Sequence, residues 1–183
     1  MLRSRQTGRD DRACDGARVD ACRLWGGHAG QDASSSNELV GTWRMISATL
    51  EEDGRETRPY GLKPAGMLVF TPDFHFVEVL TNSETPHVAS GRRGEGTDSE
   101  NREAMTNGVG FFGAYSVRGD GTFSGNVVEG ATFPNWVGSE RTTHELLLEV
   151  RGSRLTETFT RPGGGVLRAA FVRVRAPANA RNT

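Results

Sequence analysis

The stretch Phe111–Ala131, FFGAYSVRGDGTFSGNVVEGA, decides the fold class. Phe111 to Val117 and Thr122 to Ala131 are short runs rich in aromatic and β-branched residues, and Gly119-Asp120-Gly121 between them can supply positive φ or a preset turn. Two such runs around such a turn predict an antiparallel hairpin. The same pattern continues outward on both sides. Further runs occupy Leu39 to Glu51, Ala65 to Phe70, Phe74 to Leu80, Arg141 to Val150, Arg154 to Thr160 and Val166 to Arg175. They are divided by Asp53-Gly54, Thr71-Pro72-Asp73, Arg151-Gly152-Ser153 and Pro162-Gly163-Gly164-Gly165. Strands at this spacing, about eight of them, predict an all-β fold, a single antiparallel eight-stranded up-and-down barrel.

One connection breaks the rhythm. Asn82 to Gly110 is too long for an unstructured link inside a compact domain. Thr97-Asp98-Ser99-Glu100 has the spacing of an N-terminal capping box, good helix formers follow to Thr106, and Asn107-Gly108 stops them. A short helix across one mouth of the barrel is expected.

Composition sets the outer limits. A chain of 183 residues with 35% apolar residues supports one core, and 22 basic against 23 acidic residues give no basic field for a phosphate backbone. No nucleic acid partner is expected. No run approaches the length of a membrane span or a signal peptide, which points to the cytoplasm. Residues 1–36 are rich in Arg, Asp, Gly and Ser without periodicity, and read as a disordered extension or as sequence upstream of the true start. A single lysine, Lys63, suggests a GC-rich coding sequence. The barrel is expected over 37–176, with 177–183 as a disordered tail. Cys14 and Cys22, followed by His28, fit no zinc template, and the barrel itself has no cysteine, so no metal is expected.

Four segments carry a resemblance. Leu39-Val40-Gly41-Thr42-Trp43-Arg44 resembles the Gly-x-Trp opening of lipocalins and related calycin barrels. Pro59-Tyr60-Gly61, Phe70-Thr71-Pro72-Asp73 and Phe133-Pro134-Asn135-Trp136-Val137-Gly138 follow in the order seen in small bacterial and fungal lipocalin-like domain proteins. The resemblance implies that Trp43 plugs one end of a lipocalin-like barrel and that Arg173 stacks on it, with Phe171 where that family often has Trp. It also implies a cavity for small molecules. Some related barrels carry hydrophobic ligands, and others act as cofactor-free cyclases, isomerases or dehydratases in secondary metabolism. The family's histidine pair near Asn126-Val127 and its arginine near Thr143 have no counterpart at those positions.

Period-2 alternation assigns polar groups to the cavity. In Arg141 to Val150, the face of Thr142, His144, Leu146, Leu148 and Val150 is expected inward. In Thr122 to Ala131 the inward set is Phe123, Gly125, Val127, Glu129 and Ala131. His144 and Glu129 would then meet on adjoining strands, either as an acid–base pair or simply as two buried groups satisfying each other. Between Phe74 and Leu80, either His75 or Glu78 faces inward, but not both. Leu155, Glu157 and Phe159 share a face, Tyr60 and Tyr115 offer phenols, and Trp136 comes from the most specific of the family segments. Three inward carboxylates favour a ligand bearing carbonyls or hydroxyls over a plain lipid.

No Gly-x-Ser-x-Gly, no barrel cysteine and no phosphate loop is present, so neither nucleotide nor other cofactor is expected. The residues thus predict a barrel that holds a small, partly apolar metabolite. They leave open whether it transforms that ligand, only carries it, or serves as a protein scaffold, and whether it forms a homodimer.

Overall fold

The computed structural model describes residues 37–175. The expectations for 1–36, including Cys14, Cys22 and His28, and for the C-terminal tail lie outside the described residues. Ten strands and one helix follow in order: β1 Gly41–Glu52, β2 Arg55–Thr57, β3 Pro64–Phe70, β4 His75–Asn82, α1 Asp98–Thr106, β5 Gly108–Val117, β6 Phe123–Ala131, β7 Glu140–Thr142, β8 Leu146–Arg151, β9 Arg154–Thr160 and β10 Val166–Arg173. A single 3-10 turn, Pro134–Trp136, separates β6 from β7. The sheet order is β7-β6-β5-β4-β3-β1-β10-β9-β8, every pair antiparallel, with β2 folded back on β1. This makes a nearly closed up-and-down barrel whose seam falls between β7 and β8.

The elements follow from local chemistry. Asp53 and Gly54 both take positive φ, 50° and 71°, as a tight β1–β2 turn demands. In β4, Phe76, Glu78 and Leu80 are buried while His75, Val77 and Val79 are exposed, so alternation chooses Glu78 over His75. At α1 the capping box forms in both directions: the Glu100 amide donates to the Thr97 hydroxyl, and the Glu100 carboxylate accepts from the Thr97 amide.

The closed end is built as the resemblance implied. Trp43 and Phe171 are fully buried. The indole N–H of Trp43 donates to Leu39 O at 2.8 Å, and the Arg173 guanidinium stands 4.0 Å from the indole centroid while donating to the carbonyls of Val40 and Glu38. The core continues from there through Phe70, Phe76, Tyr115, Phe123 and Leu155.

Two strands depart from the expected alternation. The run Arg141 to Val150 is not one strand; a turn over residues 143–145 cuts it into β7 and β8. Within that turn the Glu145 carboxylate accepts from the Thr142 amide and hydroxyl at 2.9 and 2.5 Å, and Glu145 N donates to Thr142 O. His144 therefore sits exposed at the tip of a turn, and the inward residue of this segment is Arg141. In β6, pairing with β5 slips between Ser116 and Val117 and again between Phe112 and Gly113. Each β-bulge reverses the side-chain parity. Asn126 and Val128 face inward as a result, and Val127 and Glu129 face solvent. Gly113 makes the second bulge feasible, because a Cβ there would stand 1.9 Å from Val127 O. The expected His144–Glu129 pairing inside the barrel is thereby overturned.

Candidate functional site

Glu78 on β4 and Glu157 on β9 belong to strands on opposite sides of the barrel, with β3, β1 and β10 between them in the sheet. Both are 4% exposed, and their carboxyls are near enough across the interior to act on each other's ionisation. Two buried carboxyls in one another's field disfavour ionising both. Burial raises Glu78 well above the ordinary carboxylate range, and the charge of Glu157 raises it further. Burial raises Glu157 as well, opposed by the neighbouring Glu78 carboxyl and by the charge of Arg141.

Arg141 enters the interior from β7, opposite Asn126 on β6. Its guanidinium carbon lies 4.9 Å from the ring centroid of Phe111, 5.0 Å from that of Trp136 and 4.8 Å from that of Phe159. These rings hold the cation by its faces. Among the described residues Arg141 makes no ion pair within 4.0 Å. Burial lowers its pKa while the two glutamates act in the opposite direction. Glu78 Oε1, Glu157 Oε2 and Asn126 Oδ1 are buried and have no hydrogen-bond partner among the described residues.

A cup of about 410 Å³ opens at this end of the barrel, between α1 and the 3-10 turn. Arg102, Met105 and Thr106 of α1 form one wall, Thr132, Phe133 and Trp136 another, and Tyr60, Gly108, Val109 and Arg161 complete the lining. Tyr60 and Trp136 link the cup to the charged interior. The Tyr60 phenol is raised first by burial and then by the charges of Glu78 and Glu157. Trp136 packs edge-on against Phe111 at 5.3 Å and stacks on Arg141.

Of the residues singled out from the sequence, Glu78, Glu157, Tyr60 and Trp136 converge here. His75 does not; it is exposed on the outer face of β4 beside Asp73. Tyr115 is buried elsewhere, donating to Thr71 O and accepting from the Asn37 amide near the closed end, a structural role. His144 and Glu129 are on the outside. Arg141 and Asn126 were not anticipated. The signals for them were present: Thr142-Thr143-His144-Glu145 repeats the Thr-x-x-Glu spacing of the α1 cap, and glycines within the β5 and β6 runs mark bulges.

The family model described as a lipocalin-like domain matches residues 40–163. Among curated proteins none matches significantly. The chain is similar to a redesigned β-barrel at 14% identity, with a TM-score of 0.39, covering 77% of this chain and 95% of the other. It is similar to a de novo designed fluorescence-activating β-barrel at 15% identity, TM-score 0.38, over 76% and 98% of the two chains. A point mutant of the fluorescent protein UnaG is similar at 13% identity, TM-score 0.36, over 75% and 97%.

Proposed function

This chain belongs to the lipocalin-like domain family, and we propose that its barrel binds one small, partly apolar molecule in the cup beneath α1, with the ligand's polar end turned toward Glu78, Glu157 and Arg141. One observation carries the reading. A cup of ligand-binding size is walled by Trp136, Phe133, Val109 and Met105, and Trp136 also stacks on Arg141 of an interior that holds buried, unpartnered oxygens. A packed structural core satisfies its buried polar groups, whereas a site leaves some for the ligand to satisfy. The test is a titration with N-phenyl-1-naphthylamine, an uncharged dye whose emission rises in apolar surroundings. Saturable binding at one site is expected, weakened by about tenfold or more in Met105→Arg, which places a charge in the cup wall. Dye binding unaffected by that change contradicts the proposed location.

A second reading gives the same cavity chemistry: rearrangement of the ligand without a cofactor, as a cyclase, isomerase or dehydratase. The raised carboxyls of Glu78 and Glu157 favour it, since a carboxyl held protonated above its ordinary range can act as a general acid and an ionised neighbour as a base. Under this reading the catalytic groups are these two glutamates in place of His144 and Glu129. Ligand captured by the protein from cell extract, recovered and identified by mass spectrometry, would be converted by the wild type. In Glu78→Gln, turnover would fall by about 10²-fold or more while affinity stays within a few-fold. A captured ligand that the wild type leaves unchanged makes the protein a carrier.

A further inference from the structure

We propose that the outer face of β3, β4, β5 and β6 is the interface of a two-fold dimer of this chain. The inference is independent of the cavity and concerns the other side of the same strands.

An antiparallel strand with one face on a core is ordinarily apolar inward and polar outward. β4 departs from this on both faces: the Glu78 carboxyl lies inside between Phe76 and Leu80, while Val77 and Val79 face water. The register extends the outward apolar rows to the neighbouring strands. Val79 pairs with Met67 and Val77 with Val69 on β3, Val77 also pairs with Phe112 on β5, and Ala114 in the next row pairs with Val127 on β6. Met67, Val77, Val79, Phe112 and Val127 are each between 38% and 50% exposed, with no charged residue among these positions. Gly130 lets the Phe112 ring lie down on the sheet, since a Cβ there would meet the ring at 2.5 Å. The result is a smooth apolar face.

Its size fits an interface. These side chains together leave roughly 400 Å² of contiguous apolar surface in water, the range in which a patch on a monomer marks an interaction site. One side of a stable dimer covers about 800 Å², about two thirds of it apolar, so the face supplies most of what is needed. Toward α1 it runs into a groove of about 510 Å³ lined by Val79, Gly110, Ala104 and Met105, a recess for side chains of the opposing copy.

Charge selects a second copy as the occupant. Arg44 on β1, paired with Met67, is exposed on one flank of the face; Glu129 on β6 and Glu140 on β7, the latter paired with Val127, are exposed on the other. A two-fold axis running along the strands lays the basic flank of each copy over the acidic flank of its partner, and the apolar centres meet between them. A net charge of −1 per chain leaves little overall repulsion to oppose the pairing.

Sedimentation equilibrium of the full chain from about 1 to 200 µM tests this. A dimer with a Kd of about 10 µM or tighter is expected. Val77→Arg and Val79→Glu, two changes of opposite sign at exposed positions, are each expected to weaken it by about hundredfold or more, because the two-fold brings every substitution in twice. Circular dichroism of both variants is expected to match the wild type, which separates loss of the interface from loss of the fold. Leu147→Arg alters an equally exposed apolar residue on β8, outside the face, and is expected to leave the dimer intact. A wild type that stays monomeric, a dimer that survives both face variants, or one that Leu147→Arg dissociates equally overturns the proposal. A monomer that instead sediments with phosphatidylcholine vesicles, and no longer does so in the two variants, assigns the face to a lipid surface and also overturns it.

Discussion

Glu78 illustrates how a single residue couples folding to pH. Its carboxyl has an ordinary value of 4.5 in an unfolded chain and is raised well above that in the barrel, by burial first and by Glu157 second. A raised acid contributes its full stability below the unfolded value and loses it as pH climbs through the folded value. The melting temperature should therefore decline from mildly acidic toward alkaline pH, and Glu78→Gln should flatten that decline and exceed the wild type at the alkaline end. A wild-type profile that rises over the same interval would contradict the buried pair. At the closed end of the barrel the cost of change is one of volume. Trp43 is fully buried and stacked by Arg173, so Trp43→Ala should cost about 3–5 kcal/mol in urea unfolding through the cavity it leaves. Glu78 facing inward was legible from parity alone, because β4 alternates without interruption. Glu129 was not, because its strand carries an extra residue that parity cannot register.

Among the elements, β6 and the β7–β8 turn are where local rules competed. A run such as Arg141 to Val150 has enough β-branched and aliphatic residues to pass as one strand, yet Thr142 and Glu145 close a hydrogen-bonded turn that outweighs strand propensity there. The same Thr-x-x-Glu spacing at Thr97 was legible because it opened a segment with no competing strand pattern. Thr142→Ala should cost about 1 kcal/mol, the usual magnitude for losing a cap of this type. His144→Ala and Glu129→Ala, both at exposed positions, should change stability by no more than about 0.5 kcal/mol. The bulge is stricter. With Val127 O only 1.9 Å from where a Cβ would be, Gly113→Ala forces the two strands apart and should cost about 1–3 kcal/mol by chemical denaturation. Near-neutral behaviour of Gly113→Ala would mean that the bulge at Gly113 does not set the outward orientation of Glu129.

At the scale of the molecule, the barrel was legible because its information is local: turns of fixed chemistry, strands of fixed period, and a capped helix between them. The site was legible only in part because it is a product of closure. Glu78 and Glu157 are 79 positions apart in the chain with three strands between theirs in the sheet, and only rolling the sheet brings them face to face. Arg141 joins them from the seam, where the sequence pattern is most irregular. A ligand site built on Glu78, Glu157 and Arg141 requires that these interior carboxyls, and not the exterior ones, respond to a ligand. Carbon-13 NMR of the glutamate carboxyls, with Glu78 and Glu157 assigned through their glutamine variants, measures this directly. The two interior resonances are expected to titrate above the usual glutamate range and to move when N-phenyl-1-naphthylamine is added, while those of Glu129 and Glu145 stay in place. Interior resonances that titrate like the exterior ones, or that stay unmoved when the probe is bound, would contradict a ligand site built on Glu78, Glu157 and Arg141.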